Sequence, residues 1–502
     1  MKEFNRTLAG IVAAVSVMTA AASCAAVPKE EPETVPQQTE PAAAAPVEDV
    51  TEPEDTGLGI DGTILTWLGD FDLNPTDGGA KSVAISMFED MYGAAVNCIQ
   101  VDAENKYTRL SEMILSGEEV DIFPYDSAAL PDGVARDQFE PLDPYFDIMG
   151  VNEGLWDDMQ PAIDALTYNG SHYVMPYRIT DPIILTYSRK TVNENGLSDP
   201  YTLYQNGEWD WDSFENMIAQ FTGSAPEGTY RYGINGWFGH AILASAGSRV
   251  VNSDGSGLVN NINDPAIEQA ENFMGRLAAN GYYDRRDRYS FPTDGNTLFY
   301  AMGEWALGAS NAKNPDADLM VVPFPKSPDS DKTYYACDYS AMMLVKNSSH
   351  PEAAAALMRC ERLAASQPEY VAAAREKAVT PVTSGTGEVR SVVTEEQYDA
   401  IRSYIRDCTP WFDYGSGMGE RMYGEGNYNF STRGVMNNLS EAMLKGEIWD
   451  WYSLRDQMSP IIDSEIARIA NGGQPVAEPE PEQPEEDAEE QPEENYDEDA
   501  QF

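Results

Sequence analysis

Basic charge is scarce in this chain. Thirty-two lysines and arginines face 84 aspartates and glutamates, a formal net charge of −52. So acidic a surface repels phosphate backbones and anionic lipid, which excludes nucleic acid as a partner. Histidine is scarcer still: His172, His240 and His350 are far apart in sequence, and the five cysteines form no Cys-x-x-Cys pair. The sequence therefore supports neither a zinc site nor a Cys/His nucleophile, and no metal or cofactor is expected. Walker-type glycine loops, internal repeats and sustained heptads are absent. The apolar run Leu8–Ala22 covers 15 residues, too few to span a bilayer comfortably.

What is present points to large globular cores with unstructured ends. The chain has 502 residues, 42% of them hydrophobic, with nine Trp, 27 Tyr and 16 Phe, enough for two or three domains. Lys2 and Arg6 before Leu8–Ala22 read as an export signal over residues 1–23. The small residues Ala21-Ala22-Ser23 directly before Cys24 resemble the lipobox of bacterial lipoproteins, although Ala21 stands where Leu is usual. That resemblance implies lipidation (palmitate) at Cys24 and an anchor at the outer face of a membrane. Residues 24–60 then form an acidic, Pro-rich linker, and residues 473–502 an acidic tail with too little apolar surface to fold. Of the remaining cysteines, Cys360 and Cys408 form either a disulfide or two free buried thiols.

The core reads as strand–helix units. Thr63–Trp67 is strand-like, and the helix Ala80–Tyr92 places Val83, Met87, Phe88 and Met91 on one face before Gly93. Ala95–Val101 is a second strand. Tyr107, Leu110, Met113 and Ile114 mark a helix stopped by Gly117, and Val120–Pro124 is a third strand. Such repetition predicts an α/β fold with a mostly parallel sheet, whose ligands sit beyond the carboxyl ends of the strands, near Trp67–Phe71 and Tyr125–Ser127. Tyr173–Pro176 and Pro182–Tyr187 follow as strands, then helices Trp211–Phe221, capped by Asp210, and Ala266–Asn280 after Asp264-Pro265. Phe299–Leu307, Leu319–Val322 and Ala341–Val345 read as strands and Pro351–Ala365 as a helix; the rest to Ala470 is mostly helical, with exposed-looking aromatics at Trp411–Tyr414. In Asn252–Gly257 oxygen donors alternate, but the segment lacks the bidentate Glu and ligand count that calcium needs, so a hairpin turn is expected.

Seven fragments in order resemble the family 1 extracellular solute-binding proteins, carbohydrate-binding components of ATP-driven (ABC) importers, over Gly62–Arg468. They are Leu115–Ile122; Phe139-Glu140-Pro141-Leu142-Asp143; Tyr168–Pro176 with Ile184–Lys190; Asn195-Gly196-Leu197 with Trp209–Phe214; Ala301-Met302-Gly303-Glu304-Trp305; Val321–Pro325; and Lys346–Ala355. Val120 replaces the family's frequent Pro, and Ser188-Arg189 its usual Asn. The resemblance implies a two-lobed periplasmic-binding-protein-like fold, type II and maltose-binding-protein-like. The first lobe would comprise residues 61–178 plus 323–365 and the second 179–322 plus 366–472. Hinge crossings would fall near Tyr177–Asp181, near Val322–Pro325 and within Leu357–Ala365. It further implies a monomer that delivers ligand to permease subunits.

A sugar presents apolar C–H faces and hydroxyls, so its site needs aromatic platforms with carboxylates or amides. Strand-end position and the resemblance together name Trp67, Asp70, Tyr125, Asp126, Asp338 and Tyr339 for the first lobe. For the second lobe, the resemblance names Asp181, Trp237, Phe238, Trp305, Trp411 and Tyr414. Carboxylates among aromatics also describe glycoside hydrolases, but nothing marks an acid/base pair, so no enzyme is expected. Capture of a cationic or peptide-like solute, or glycan binding for sensing, stays open as a variant of the same fold.

Overall fold

The computed structural model describes residues 57–73, 81–383, 389–390, 392–424 and 430–475. The expected export segment, Cys24, most of the expected linker and the tail beyond residue 475 lie outside it. Strand β1 (Ile64–Gly69) buries Leu65, Trp67 and Leu68. The helix Val83–Tyr92 starts where the Ser82 hydroxyl accepts the Ile85 N–H and stops at Gly93, whose φ of 63° suits a residue without Cβ. It buries Ala84, Ile85, Phe88 and Tyr92 and leaves Val83 exposed, so its inner face is rotated from the predicted one. The long helix Pro351–Ser366 packs against it as a second partner, and sequence periodicity carries no sign of that. Next come β2 (Ala95–Gln100), the helix Lys106–Ser116 with Leu110 and Met113 inward, and β3 (Ile122–Pro124). β1 runs parallel to both strands. β4 (Phe139–Glu140) and β5 (Met175–Thr180) complete this half of the lobe.

Beyond Asp181 the chain enters a second sheet with β6 (Ile184–Ser188) and β7 (Tyr232–Gly236). Between them, Asp210 caps the helix Trp211–Gly223 in a reciprocal capping box. β8 (Val251–Ser253) and β9 (Leu258–Asn260) form a hairpin around the predicted turn, with Asp254 accepting from the Ser256 N–H and hydroxyl. The helix Pro265–Ala279 begins at the Asp264 cap. β10 (Thr297–Met302) ends three residues before the helix Trp305–Lys313, which corrects the single strand expected over Phe299–Leu307. With β11 (Leu319–Pro323), the sheet order is β11-β6-β10-β7. Only β7 and β10 in it are parallel.

β12 (Tyr334–Ala336) pairs with the strand Thr409–Trp411, and β13 (Asp338–Val345) returns to the first sheet. There β13 lies antiparallel to β3 on one edge and to β5 and β4 on the other. Both sheets are therefore mixed rather than mostly parallel. Two crossings run side by side, Asp181–Ile183 and Ala336–Asp338, joined by the Ile183 N–H to the Ala336 carbonyl at 2.9 Å. The second falls about a dozen residues after Val322–Pro325, because Lys326 and Ser327 still bond Trp211 and Ser245 of the second lobe. Helix Pro351–Ser366 runs unbroken against the first lobe and ends at Gln367, after which the helix Pro368–Val379 packs both on it and on the helix Glu395–Asp407. The helices Glu395–Asp407, Val435–Lys445 and Trp451–Ala470 then cover the second lobe. Cys360 and Cys408 are buried free thiols, so that disulfide does not form. Among the described residues no helix is long and apolar enough to cross a membrane.

Candidate ligand-binding cleft

The segment after β3 in one lobe and the segment after β10 in the other meet at the two paired crossings, with Tyr125 near Asp338, Asp338 beside Asp181, and Asp181 at the Trp305 N–H. Tyr125 and Asp126 follow β3 directly. The Asp126 carboxylate caps the turn at Ala128 (3.0 Å), accepts from the Tyr107 hydroxyl and pairs with Lys106 Nζ at 2.5 Å. Lys106 is itself buried over the Phe123 ring. Burial and the neighbouring Asp126 push the Tyr107 and Tyr125 hydroxyls well above the usual tyrosine range, so both stay protonated donors. Asp70, at the end of β1, is half-buried, and its carbonyl accepts from Gln100 at 3.1 Å.

At the crossings, Asp338 pairs with Thr180 across the β13–β5 ladder, which sets its carboxylate beside Asp181. Burial raises Asp181 to about 6, with Glu304 adding repulsion, while the Trp305 backbone N–H at the helix start holds it down. Asp338 is also pushed up to about 6, by the protein packed around it and then by Asp181, although solvent reaches it from the cleft. Neither carboxylate has an ion-pair partner among the described residues, whereas Glu304 is paired with Arg402. Two acids that share a site this closely titrate as a pair.

The second lobe supplies apolar surface. The Trp237 N–H bonds the Ala301 carbonyl at 3.1 Å, which fixes the residue at the end of β7 next to β10. Its ring is 44% exposed and meets the edge of Tyr289, 45% exposed, at 6.1 Å. Trp305 is half-buried, its inner side on the small cluster Phe291, Tyr300, Met302, Ala306 and Leu319. Gly236 precedes Trp237 at φ 106°, where a Cβ would overlap the Ala301 carbonyl.

Other named residues lie elsewhere. Trp67 is 1% exposed, its Nε1 bonding the Phe71 carbonyl at 3.2 Å, and Phe238 is 1% exposed with its edge on Tyr283; both are core. The aromatics at Trp411–Tyr414 are buried, not exposed. Trp411 Nε1 donates to Ser248 at 2.9 Å, and its carbonyl accepts from the buried Tyr339 hydroxyl at 3.2 Å. The Tyr414 hydroxyl donates to the Thr167 carbonyl across the lobes, and Gly417 lies so close to Ser127 and Leu130 that a Cβ would overlap their carbonyl oxygens. This segment is a contact between lobes rather than a sugar platform. Sequence reading missed Tyr289, Lys106 and the Glu304–Arg402 pair. Tyr289 sits in the charged stretch Asp284–Asp294, where an isolated aromatic was the available signal.

A sequence profile described as bacterial extracellular solute-binding protein matches residues 84–391. The chain belongs to that family. This solute-binding protein superposes on the sugar-binding protein MalE from Xanthomonas citri with a TM-score of 0.58, at 15% identity over 81% of this chain and 98% of that one. The cyclic α-maltosyl-1,6-maltose binding protein of Arthrobacter globiformis gives 0.55 at 15% identity, over 80% and 99% of the two chains. The galacto-N-biose/lacto-N-biose I-binding protein of the ABC transporter from Bifidobacterium longum gives 0.51 at 15%, over 83% and 99%. No curated protein matches the sequence. The solute-binding protein thus has the two-lobed type II fold, and its family works outside the cell by binding rather than by catalysis.

Proposed function

We propose that the protein is the receptor of an ATP-driven importer and captures a sugar or oligosaccharide by closing its lobes around it. The observation that carries this reading is the cleft's composition. Exposed Trp237 and Tyr289 and half-buried Trp305 offer stacking faces on one lobe, while Tyr125, Asp126, Asp181 and Asp338 offer hydrogen-bonding groups on the other lobe and at the crossings. The sugar-binding neighbours support it by analogy of fold. Ligand contacts from both lobes favour the closed state only when ligand is present, which is what hinge closure requires.

The unpaired Asp181–Asp338 couple favours a neutral or amine-bearing sugar over an acidic one, since an anion would meet two further negative charges above pH 6. In this reading the chain is a monomer held at the cell surface by lipid on Cys24. The lobes divide near the paired crossings and at Gln367.

A thermal-shift screen over neutral sugars, amino sugars, uronic acids, amines and peptides tests the proposal. A ligand at 100 times its dissociation constant stabilises by ~2.7 kcal/mol, so a neutral oligosaccharide should give a clear shift. A response to peptides alone would sink the sugar reading. Cys24→Ala should move the protein from the membrane to the soluble fraction; a mutant that stays membrane-bound would remove the lipid anchor.

A further inference from the structure

At the end of the first sheet opposite the cleft, three side chains distant in sequence converge. Glu119 and Asp121 lie just before β3, and His350 follows β13 at the start of the helix Pro351–Ser366. Their donor atoms all lie within 4.8 Å of one another. His350 Nδ1 is 3.1 Å from Glu119 Oε1 and 3.4 Å from Asp121 Oδ1. Although the ring nitrogen is shielded from solvent, it makes no hydrogen bond, because neither carboxylate lies in the direction an N–H would need. A buried nitrogen between two carboxylate oxygens with its hydrogen-bonding capacity unused calls for a partner other than a proton.

We infer that Glu119, Asp121 and His350 bind a divalent transition-metal cation. Donors about 2.0–2.2 Å from a tetrahedral metal lie roughly 3.3–3.6 Å from one another, and at an octahedral edge about 3.0 Å. The 3.1 and 3.4 Å from Nδ1 to the two carboxylates fall in that range, and the carboxylate oxygens, within 4.8 Å of each other, would draw together on the metal through the half-exposed Glu119. One imidazole with two carboxylates suits Zn²⁺, Mn²⁺ or Fe²⁺, whereas Ca²⁺ takes six to eight oxygens.

Asp121 is fully buried and already oriented. Its Oδ2 accepts the Thr66 N–H at 2.8 Å and its Oδ1 the Ser348 hydroxyl at 2.6 Å, leaving a lone pair on Oδ1 for the metal. Ser348 Oγ also accepts the His350 N–H at 3.1 Å, which ties the turn to the same carboxylate. Glu119 is half exposed, so water completes the coordination shell. Bound there, the cation fastens the turn after β13 to the start of β3 and touches nothing in the cleft.

The test uses the full chain, stripped with chelator and titrated by calorimetry with Zn²⁺ and separately with Mn²⁺, in excess Ca²⁺ to occupy the acidic surface. One saturable site and a rise in melting temperature are expected. His350→Ala and Glu119→Gln should each weaken binding about 10-fold or more and abolish the rise. Glu119 makes only a half-exposed contact, so its variant keeps the test valid should His350→Ala fold poorly. Absence of saturable uptake, or equal affinity in wild type and both variants, would reduce the trio to an ordinary ion pair and overturn the inference.

Discussion

The two lobes carry different side chains after their strands. In the first lobe the aromatics turn inward, Trp67 into the core and Tyr107 against Phe123, leaving carboxylates and tyrosine hydroxyls at the strand ends. In the second, Trp237 and Tyr289 stay open and Trp305 keeps one side free, while Trp209, Trp211 and Phe214 fill the core behind them. The difference teaches that aromatic content alone does not locate a sugar platform: the lobe with the better-placed tryptophan in sequence, at the end of β1, uses it for packing. The first lobe thus presents polar groups after its strands and the second partly open aromatic faces.

The largest effect should come from breaking that distinction at Trp67. Trp67→Ala removes a fully buried ring, and a loss of about 3–5 kcal/mol of stability is expected in denaturant melts. If it instead lowers ligand affinity with stability intact, Trp67 faces the cleft and the division between lobes fails. Next is the interlobe contact: Gly417→Val forces a side chain into the Ser127 and Leu130 carbonyls, at about 1–3 kcal/mol. X-ray scattering should show a larger radius of gyration for this variant than for wild type, and identical profiles would mean the contact does not hold the lobes together.

Trp305→Ala and Trp237→Ala should each weaken ligand by about 10-fold or more, a loss of roughly 1–3 kcal/mol, measured by calorimetry. Melting temperature without ligand should barely change for Trp237→Ala, because its ring is half in solvent. Unchanged affinities for both would move the site off the second lobe.

The smallest effect concerns pH. Asp181 and Asp338 bind protons in the folded chain up to about 6 but release them near 3.8 when unfolded. The native state therefore holds protons that the unfolded state has lost, so their contribution to stability is present at low pH and declines as pH rises from about 4 through 6. Asp338→Asn should flatten that decline in melting curves. Ligand hydroxyls donate best to the ionised pair, so affinity should fall as pH drops below 6, and a pH-independent affinity would take the pair out of the binding site.

Much of the fold was legible because it is local. Ser82, Asp210 and Asp264 cap helices within a few residues of themselves, and Gly93 and Gly117 stop helices through their own backbone freedom. Sequence reading set Tyr125 and Asp126 at a strand end, as the structure does, and through the family resemblance named Trp237 and Trp305, which keep an open face; their part in ligand binding is the proposal above. It misled at Trp67, Phe238, Trp411 and Tyr414, where an aromatic of the right type serves packing or lobe contact. The strand expected through Leu307 failed because an apolar run reads alike as strand or buried helix, and the change falls at Gly303-Glu304 between the two elements.

By itself the sequence determined the acidic character, the alternation of strands and helices and the order of the family's fragments, since each depends on composition or near neighbours. Tertiary structure decided which way each sheet runs, where the chain crosses between lobes, which aromatics remain open, and that Asp181 stands beside Asp338 and His350 beside Glu119 and Asp121. The last two join residues separated by more than 150 positions, and the physical reason is that strand pairing and burial, rather than any local preference, bring such groups within reach of one another.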